Sequence, residues 1–253
     1  MAKARVVITD YVWESLDVEH EILGALADIV ALQVTDPEAF FPAAHDCEAL
    51  LNTYGGPITA AVMARMPRCK IIARYGIGVD TIDLDAATEA GIIVTNNPTY
   101  CIEEVAEHTL AMLLACARKI AFYDRRVRRG DWAVPPGKPL FRLAGATVGL
   151  IGFGNIARRV AAGAAGLAMR VLYADPFVAA GQFDAPGEKV EFEALLEASD
   201  YLCVHAPLTA QTRGMLNAGA FAKMKRTAFV VNCSRGPIVD TDALVQALDD
   251  YIP

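Results

Sequence analysis

A chain of 253 residues is long enough for one large or two modest domains, and its 54% hydrophobic and 21% charged residues exclude wholesale disorder. The net charge of −7 argues against direct nucleic-acid binding, and no apolar run is long enough for a membrane span. The six cysteines show no C-x-x-C spacing, and no signal-peptide hydrophobic region follows the N-terminus. We therefore expect a cytoplasmic protein with reduced thiols.

The N-terminal part of the chain alternates strand and helix patterns. Such alternation predicts an α/β domain whose parallel sheet is covered by helices on both faces. Strands are predicted at 6–9, 29–33, 49–52, 70–74 and 92–95, and helices at 19–27, 37–44, 58–66 and 84–90. The segment Asn96-Asn97-Pro98 then predicts a hinge, because Pro98 fixes one dihedral angle and disfavours helix at the residue before it. We therefore expect a first domain over 1–98 and a second over 99–253.

The second domain is predicted to open with one long helix over 102–129, ended by Gly130. A Pro-rich loop follows at 132–139. Beyond it, strands are predicted from Thr147 and at 170–174, 201–204 and 228–231, with helices at 158–167, 192–198, 217–223 and 241–249. Asp240 is predicted to cap the last of these helices.

The most informative stretch is a G-x-G-x-x-A turn between a buried strand and a small-residue helix, with the sequence Gly152-Phe153-Gly154-Asn155-Ile156-Ala157. Gly152 permits the tight turn and Gly154 lets a pyrophosphate approach the backbone, next to the positive end of the helix. Asp175 ends the next strand, where an acid binds the adenosine ribose. Its carboxylate favours NAD over NADP, which carries an extra phosphate there. A glycine turn without a ligand is the alternative.

Three further segments follow predicted strands and so lie at carboxyl edges, where ligands of doubly wound sheets collect. Arg235, in a Gly-flanked loop, can hold a carboxylate bidentately and polarise a carbonyl, or else pair with a surface Asp. Gly76 and Gly78 can aim N–H groups at an anion or form a plain turn. His205 could wall a nicotinamide or donate a hydrogen bond. The segments are Tyr75-Gly76-Ile77-Gly78-Val79-Asp80, His205-Ala206-Pro207-Leu208-Thr209 and Asn232-Cys233-Ser234-Arg235-Gly236.

Together with Glu104-Val105-Ala106-Glu107-His108, these motifs resemble those of the D-isomer-specific 2-hydroxyacid dehydrogenases over nearly the whole chain. Within that family, Thr9-Asp10-Tyr11 and 97–101 look most like the branch of C-terminal-binding-protein-like dehydrogenases. The resemblance implies a flavodoxin-like substrate domain followed by a Rossmann domain with NAD in the cleft between them. It also implies hydride transfer between NAD and a small 2-hydroxy or 2-keto acid, and a homodimer through 102–140.

The resemblance assigns roles residue by residue. The substrate carboxylate would meet Tyr75, Gly76, Ile77 and Gly78, and Arg235 would act in catalysis on the carboxylate and ketone. Contacts to the cofactor are implied for the turn at 152–156 and for Asp175, His205, Ala206, Pro207, Thr209, Cys233, Ser234 and Arg235.

One departure concerns the family's acid/base His and its Glu partner, which lie farther along the chain than the Arg loop. The sequence ends soon after that loop, and Tyr251-Ile252-Pro253 lacks the Gly turn expected there. The resemblance therefore implies a Rossmann domain without its last strands, an exposed sheet edge and feeble activity. The alternative is an NAD(H)-responsive binding protein of the co-repressor type. The candidate substrates are hydroxypyruvate, glyoxylate, phosphoglycerate and larger 2-keto acids, which the sequence does not rank.

Overall fold

The computed structural model describes the backbone of residues 2–251. It divides into two compact units, and the division falls between Tyr100 and Cys101, close to the Asn96-Asn97-Pro98 segment. The expectation for Ile252 and Pro253 lies outside the described residues. Among the residues that are described, no helix is both long and apolar enough to cross a membrane.

The first unit is a five-stranded parallel sheet with the order β2-β1-β3-β4-β5. This is the flavodoxin-like order, so the predicted fold of the unit is confirmed. The strands are β1 (Ala4–Ile8), β2 (Ala27–Ala31), β3 (Ala49–Asn52), β4 (Ile71–Arg74) and β5 (Ile93–Thr95), and the helices are α1 (Asp17–Leu23), α2 (Pro37–Ala44), α3 (Ala60–Ala64) and α4 (Leu84–Glu89).

Local signals explain where three of the helices begin. Asp36, Thr59 and Asp83 each accept a hydrogen bond from a backbone N–H in the first turn of the helix that follows, which fixes where α2, α3 and α4 begin. The prediction of a helix over 19–27 was wrong at its end. Gly24 caps α1, and Ala27 is buried and pairs with Ala4 as the first residue of β2.

The second unit also contains a five-stranded parallel sheet, with the order β10-β9-β6-β7-β8. Counted from its own first strand, this order is 5-4-1-2-3, which is the Rossmann arrangement and confirms the predicted fold class. The strands are β6 (Thr147–Ile151), β7 (Arg170–Ala174), β8 (Glu188–Lys189), β9 (Tyr201–Val204) and β10 (Phe229–Asn232). The helices are α5 (Ile102–Ala117), α6 (Ile120–Arg128), α7 (Asn155–Gly166), α8 (Phe192–Ala198), α9 (Ala218–Lys223) and α10 (Thr241–Tyr251).

The predicted long helix over 102–129 is wrong, because the structure breaks it into α5 and α6. Lys119 adopts a left-handed conformation with φ of 52°. The N–H of Arg118 donates to Leu114 O, which is the last helical hydrogen bond of α5. The reason lies in what each helix packs against. Leu113 on α5 is fully buried against the sheet, whereas α6 buries no residue and instead holds the following loop through the hydroxyl of Tyr123. Helical spacing of apolar residues continues across such a one-residue break, so the sequence pattern does not reveal it.

Apolar clusters cover both faces of the second sheet, whose carboxyl edge carries the loops described below. Every residue of β6 is buried, as expected for a central strand. Asp240, predicted to cap α10, accepts a hydrogen bond from the N–H of Ala243 at 3.1 Å. The short edge strand β8 was not predicted, since two residues are too few for a hydrophobic pattern.

Candidate functional site

The turn after β6 requires glycine at Gly152. Its φ is 87°, in the left-handed region, and a Cβ built there would lie 3.0 Å from Ala206 N. The turn therefore passes directly against the start of the loop that follows β9. Any larger residue would be strained and would push these two loops apart.

The first turn of α7 is open. Gly154 is its N-cap, and a Cβ built on Gly154 would meet no atom within 4 Å. The N–H of Arg158 is the first to bond within the helix, to Gly154 O, so the N–H groups ahead of it have no intrahelical partner. Unpaired N–H groups at the positive end of a 12-residue helix form a site for an anionic group.

Asp175 follows β7 and lies directly beside the same turn. Its Oδ2 accepts from the N–H of Phe153 at 2.8 Å, and its Oδ1 accepts from the N–H of Phe177 at 2.8 Å. Each carboxylate oxygen keeps a second lone pair. Phe153 itself is 2% exposed and stacks on Tyr173, so its side chain belongs to the core and only its backbone faces the turn.

A hydrogen bond joins the loops after β9 and β10. Ser234 Oγ donates to Ala206 O at 2.5 Å, which joins the loop containing Arg235 to the loop that touches Gly152. Asn232 fixes the shape of the Arg loop, since its side chain donates to Arg235 O at 2.9 Å and accepts from Ser234 N at 3.0 Å. The carboxyl ends of β6, β9 and β10 thus form one connected group of loops.

His205 enters this group as a neutral side chain. Burial lowers its pKa to about 4, so it carries no proton charge at neutral pH. Its Nε2 atom is buried, and no described residue gives it a hydrogen-bond partner. A buried polar atom without a partner is rare and costly in folded proteins.

Other predicted residues have more local contacts. Thr209 Oγ1 accepts from the N–H groups of Gln211 and Thr212, so it stabilises its own turn. Cys233 lies with its Sγ 3.8 Å from the Sδ of Met112 on α5.

Sequence reasoning missed Arg158, which folds back over the glycine turn. Its Nη1 donates to Phe153 O at 3.1 Å, its Nη2 donates to Asn155 Oδ1 at 2.5 Å, and its guanidinium lies over the ring of Phe183. The position of a cation one turn into a phosphate-facing helix was the available signal.

In the first unit, the loop after β4 (residues 75–80, the β4 loop) uses its carbonyl groups for hydrogen bonds within the unit. Three consecutive carbonyls accept bonds from the same unit: Gly76 O from Asn97 N, Ile77 O from Asn96 Nδ2 and Gly78 O from Arg74 Nε. Within the described residues, nothing accepts from the N–H groups of Ile77 and Gly78. The structure thus leaves these two predicted residues with backbone donors for an anion.

The comparisons with known proteins fit this geometry. Residues 110–251 match the family model of the D-isomer specific 2-hydroxyacid dehydrogenase NAD binding domain, which is more than half of the chain. The chain belongs to this family. The match covers the glycine turn, Asp175 and the loops after β9 and β10.

Individual members of the D-isomer-specific 2-hydroxyacid dehydrogenase family are also similar. The glyoxylate reductase of Korarchaeum cryptofilum is 41% identical over 81% of this chain and 63% of its own length. The D-3-phosphoglycerate dehydrogenase of Mycobacterium leprae is 38% identical over 89% of this chain and 43% of its own. The chain thus spans less than two thirds of the length of these curated relatives.

Among solved structures of the family, the D-lactate dehydrogenase of Aquifex aeolicus, complexed with NAD and lactic acid, matches with a TM-score of 0.90. It is 30% identical, and the match covers 97% of this chain and 74% of that one. The residues at the carboxyl edge of the second unit therefore fit a dinucleotide on two separate grounds, namely family membership and the open first turn of α7 beside a carboxylate.

Proposed function

We propose that this protein is an NAD-dependent oxidoreductase that transfers a hydride between a small 2-hydroxy acid and the corresponding 2-keto acid. The single observation that carries the proposal is the open first turn of α7, with Gly154 facing free space and Asp175 beside it. The pyrophosphate would bind the N–H groups of that turn, and Arg158 adds positive charge there. When bound, the nicotinamide supplies or accepts the hydride.

Asp175 supports NAD rather than NADP. Its carboxylate would accept hydrogen bonds from the ribose hydroxyls and would repel a 2′-phosphate. The following residues, Pro176 and Phe177, offer no cation to offset that repulsion.

The remaining residues of the second unit would bind and orient the substrate. Arg235 can hold the substrate carboxylate and polarise the ketone through its fixed guanidinium fork. His205 is neutral at neutral pH, which suits a side chain that contacts the nicotinamide and donates or accepts a hydrogen bond. In the first unit, the N–H groups of Ile77 and Gly78 would bind the substrate carboxylate.

We also assign this protein a homodimeric state and a cytoplasmic location, with no direct nucleic-acid partner. The dimer proposal rests on large apolar side chains left exposed between 102 and 140. Ile120 is 55% exposed, Trp132 is 88% exposed and Val134 is 59% exposed. An isologous dimer would bury such residues, and sedimentation of the wild-type chain beside Trp132→Ala tests this.

The activity is tested by following NADH absorbance with glyoxylate, hydroxypyruvate, pyruvate and phosphohydroxypyruvate. We expect slow but saturable oxidation of NADH with at least one of them, because the ketone oxygen must also take up a proton, which solvent rather than a positioned side chain would supply. Arg235→Ala should lower kcat/KM by about 10²–10³, as loss of a positioned donor does elsewhere, and Arg235→Lys should recover only part of it because Lys lacks the fork. The proposal fails if no 2-keto acid oxidises NADH, or if Arg235→Ala matches the wild type.

A further inference from the structure

The segment that follows β1 and runs into the first turn of α1 touches both loops at the carboxyl edge of the first sheet. We define this brace segment as residues 9–19. The two loops are the β3 loop, residues 53–56, and the β4 loop defined above. In the order β2-β1-β3-β4-β5 the chain direction of the connections reverses between β1 and β3, which is where doubly wound sheets bind ligands.

Asp10 is the buried centre of this contact, with 5% exposure. Its Oδ1 accepts from Thr53 N at 3.1 Å and Gly55 N at 2.9 Å, and its Oδ2 accepts from Tyr54 N at 2.6 Å. The hydroxyl of Thr9 also donates to Oδ1 at 2.7 Å. Three consecutive backbone N–H groups therefore converge on one carboxylate, an arrangement otherwise used to bind an anionic ligand.

These bonds fix the conformation of the β3 loop. A Cβ built on Gly55 would lie 2.5 Å from Thr9 Oγ1, so the loop can pack this closely only with glycine there. Asn52 Nδ2 donates to Gly55 O at 2.6 Å and closes the loop from the other side. Its tip residue, Tyr54, keeps its side chain 64% exposed. The loop is thus held rigidly with one aromatic side chain directed to solvent.

The same brace segment holds the first residue of the β4 loop. Glu19 Oε1 accepts from the hydroxyl of Tyr75 at 3.0 Å, and the ring of Trp13 packs edge-on against the ring of Tyr75, with 4.6 Å between centroids. Burial raises the pKa of Tyr75, and Glu19 raises it further, so the phenol stays protonated and donates. Tyr75 N in turn donates to Asn52 O at 3.0 Å, which ties the two loops together.

We propose that Asp10 and Glu19 are positioning residues for substrate binding, Asp10 through the backbone of the β3 loop and Glu19 through the hydroxyl of Tyr75. This inference rests on the proposed function, in which the β4 loop binds the carboxylate of a 2-keto acid. Neither residue touches the substrate. Each sets the geometry of a loop whose small displacement weakens binding of substrate and transition state alike, which appears in KM rather than kcat.

The decisive variant is Asp10→Asn. The amide offers one acceptor oxygen in place of two, so at least one N–H of the β3 loop meets an NH₂ group instead of an acceptor. We expect the KM for the 2-keto acid that the wild type turns over to rise about tenfold, as for a buried bond to a charged group, with kcat changed little and the NADH dissociation constant unchanged. Ile72→Val is the matched control, because Ile72 is fully buried in β4 and loses one methyl without touching the polar network.

The contact to Glu19 is tested by a double-mutant cycle of Glu19→Gln and Tyr75→Phe. Both single variants should raise KM a few-fold, and the double variant should be no worse than the worse single one, because each removes the same hydrogen bond. Additive effects on KM would contradict the role given to Glu19.

Amide hydrogen exchange at Thr53, Tyr54 and Gly55 separates this inference from the proposed function. If the wild type oxidises NADH with any of the four 2-keto acids, an Asp10→Asn KM for that acid equal to that of Ile72→Val overturns the inference. If the wild type turns over none of the four, the proposed function fails, and binding of glyoxylate is then read from Trp13 fluorescence in a Trp132→Phe background. In that case, faster exchange at the three amides with tenfold weaker glyoxylate binding sustains the positioning roles, and unchanged exchange or unchanged binding overturns them.

Discussion

At the carboxyl edge of the first sheet, the three N–H groups of the β3 loop already hold an anion, the carboxylate of Asp10. At the carboxyl edge of the second sheet, the first turn of α7 is open, and a Cβ on Gly154 would meet nothing within 4 Å. Both places lie where the strand connections reverse direction.

The difference between the two edges comes from the residue that follows the first strand of each sheet. After β1 the chain places Thr9 and Asp10, and the side chain fills the donors contributed by a neighbouring loop. After β6 it places Gly152 and Gly154, and within the part of the chain that the structure describes no side chain accepts from the first N–H groups of α7. One parallel architecture thus gives an internally satisfied loop in one unit and an open helix N-terminus in the other.

The largest effect is expected when a carboxylate is placed at the start of α7, as Asp10 is placed beside the β3 loop. Gly154→Asp should place an internal carboxylate at the N-cap of α7, where the extended backbone and free space accept it. We expect NADH affinity to fall about 100-fold or more, since a like charge against a phosphate costs several kcal/mol, whereas stability should hold because Asp is a favoured N-cap.

Titration calorimetry with NADH and thermal unfolding together measure both effects of Gly154→Asp. Gly154→Ala is the matched comparison, because its Cβ adds bulk without charge; it should weaken NADH binding by obstructing the close approach of the pyrophosphate, but by less than Gly154→Asp does. Wild-type affinity in Gly154→Asp would mean that the open turn does not bind the dinucleotide.

The buried carboxylate of Asp10 in the first unit has hydrogen-bond partners, whereas the buried Nε2 of His205 in the second unit has none among the described residues. This difference should appear in the pH dependence of stability. His205 has a pKa of about 4 in the folded protein against 6.5 unfolded, so the unfolded state binds the extra proton between those values. Stability is therefore fully present above pH 6.5 and falls as the pH drops toward 4. At pH 5 the loss amounts to about 2 kcal/mol.

Urea unfolding at pH 7.5 and pH 5 tests this acid sensitivity. His205→Asn cannot titrate, so its loss of stability between the two pH values should be smaller than that of the wild type by about 2 kcal/mol. Equal losses in the wild type and His205→Asn would contradict a neutral His205.

Asp175 is expected to set the preference of the second unit for NADH over NADPH. Asp175→Ser should weaken NADH binding about tenfold, the range for one lost bond to a charged group. NADPH binding should improve relative to NADH, because the repulsion of the 2′-phosphate is removed. Fluorescence titrations with both cofactors measure the ratio, and an unchanged preference would exclude Asp175 from the ribose site.

Much of the fold was predictable because its strands are short apolar runs between turn signals. The strands at 49–52, 170–174 and 201–204 match the prediction residue for residue. The break at Lys119 was not predictable, since the left-handed residue there is not a glycine. The glycine turn and the loops after β9 and β10 could be predicted as neighbours from strand polarity alone, although their binding roles stay predictions.

The contact between Asp10 and the β3 loop could not be predicted from the sequence. Its partners lie 43, 44 and 45 residues away along the chain, so no local spacing pattern connects them. Only the pairing of β1 with β3 brings the carboxylate to the three N–H groups. The burial of His205 Nε2 was likewise hidden, because it depends on the packing of loops distant in sequence.

The most direct test of the account is calorimetric titration of the wild-type chain with NADH and NADPH at neutral pH. The open edge of the second sheet predicts one NADH bound per chain with a micromolar dissociation constant, weaker binding of NADPH and competition by ADP-ribose. Absence of binding at millimolar NADH, or tighter binding of NADPH, would contradict it.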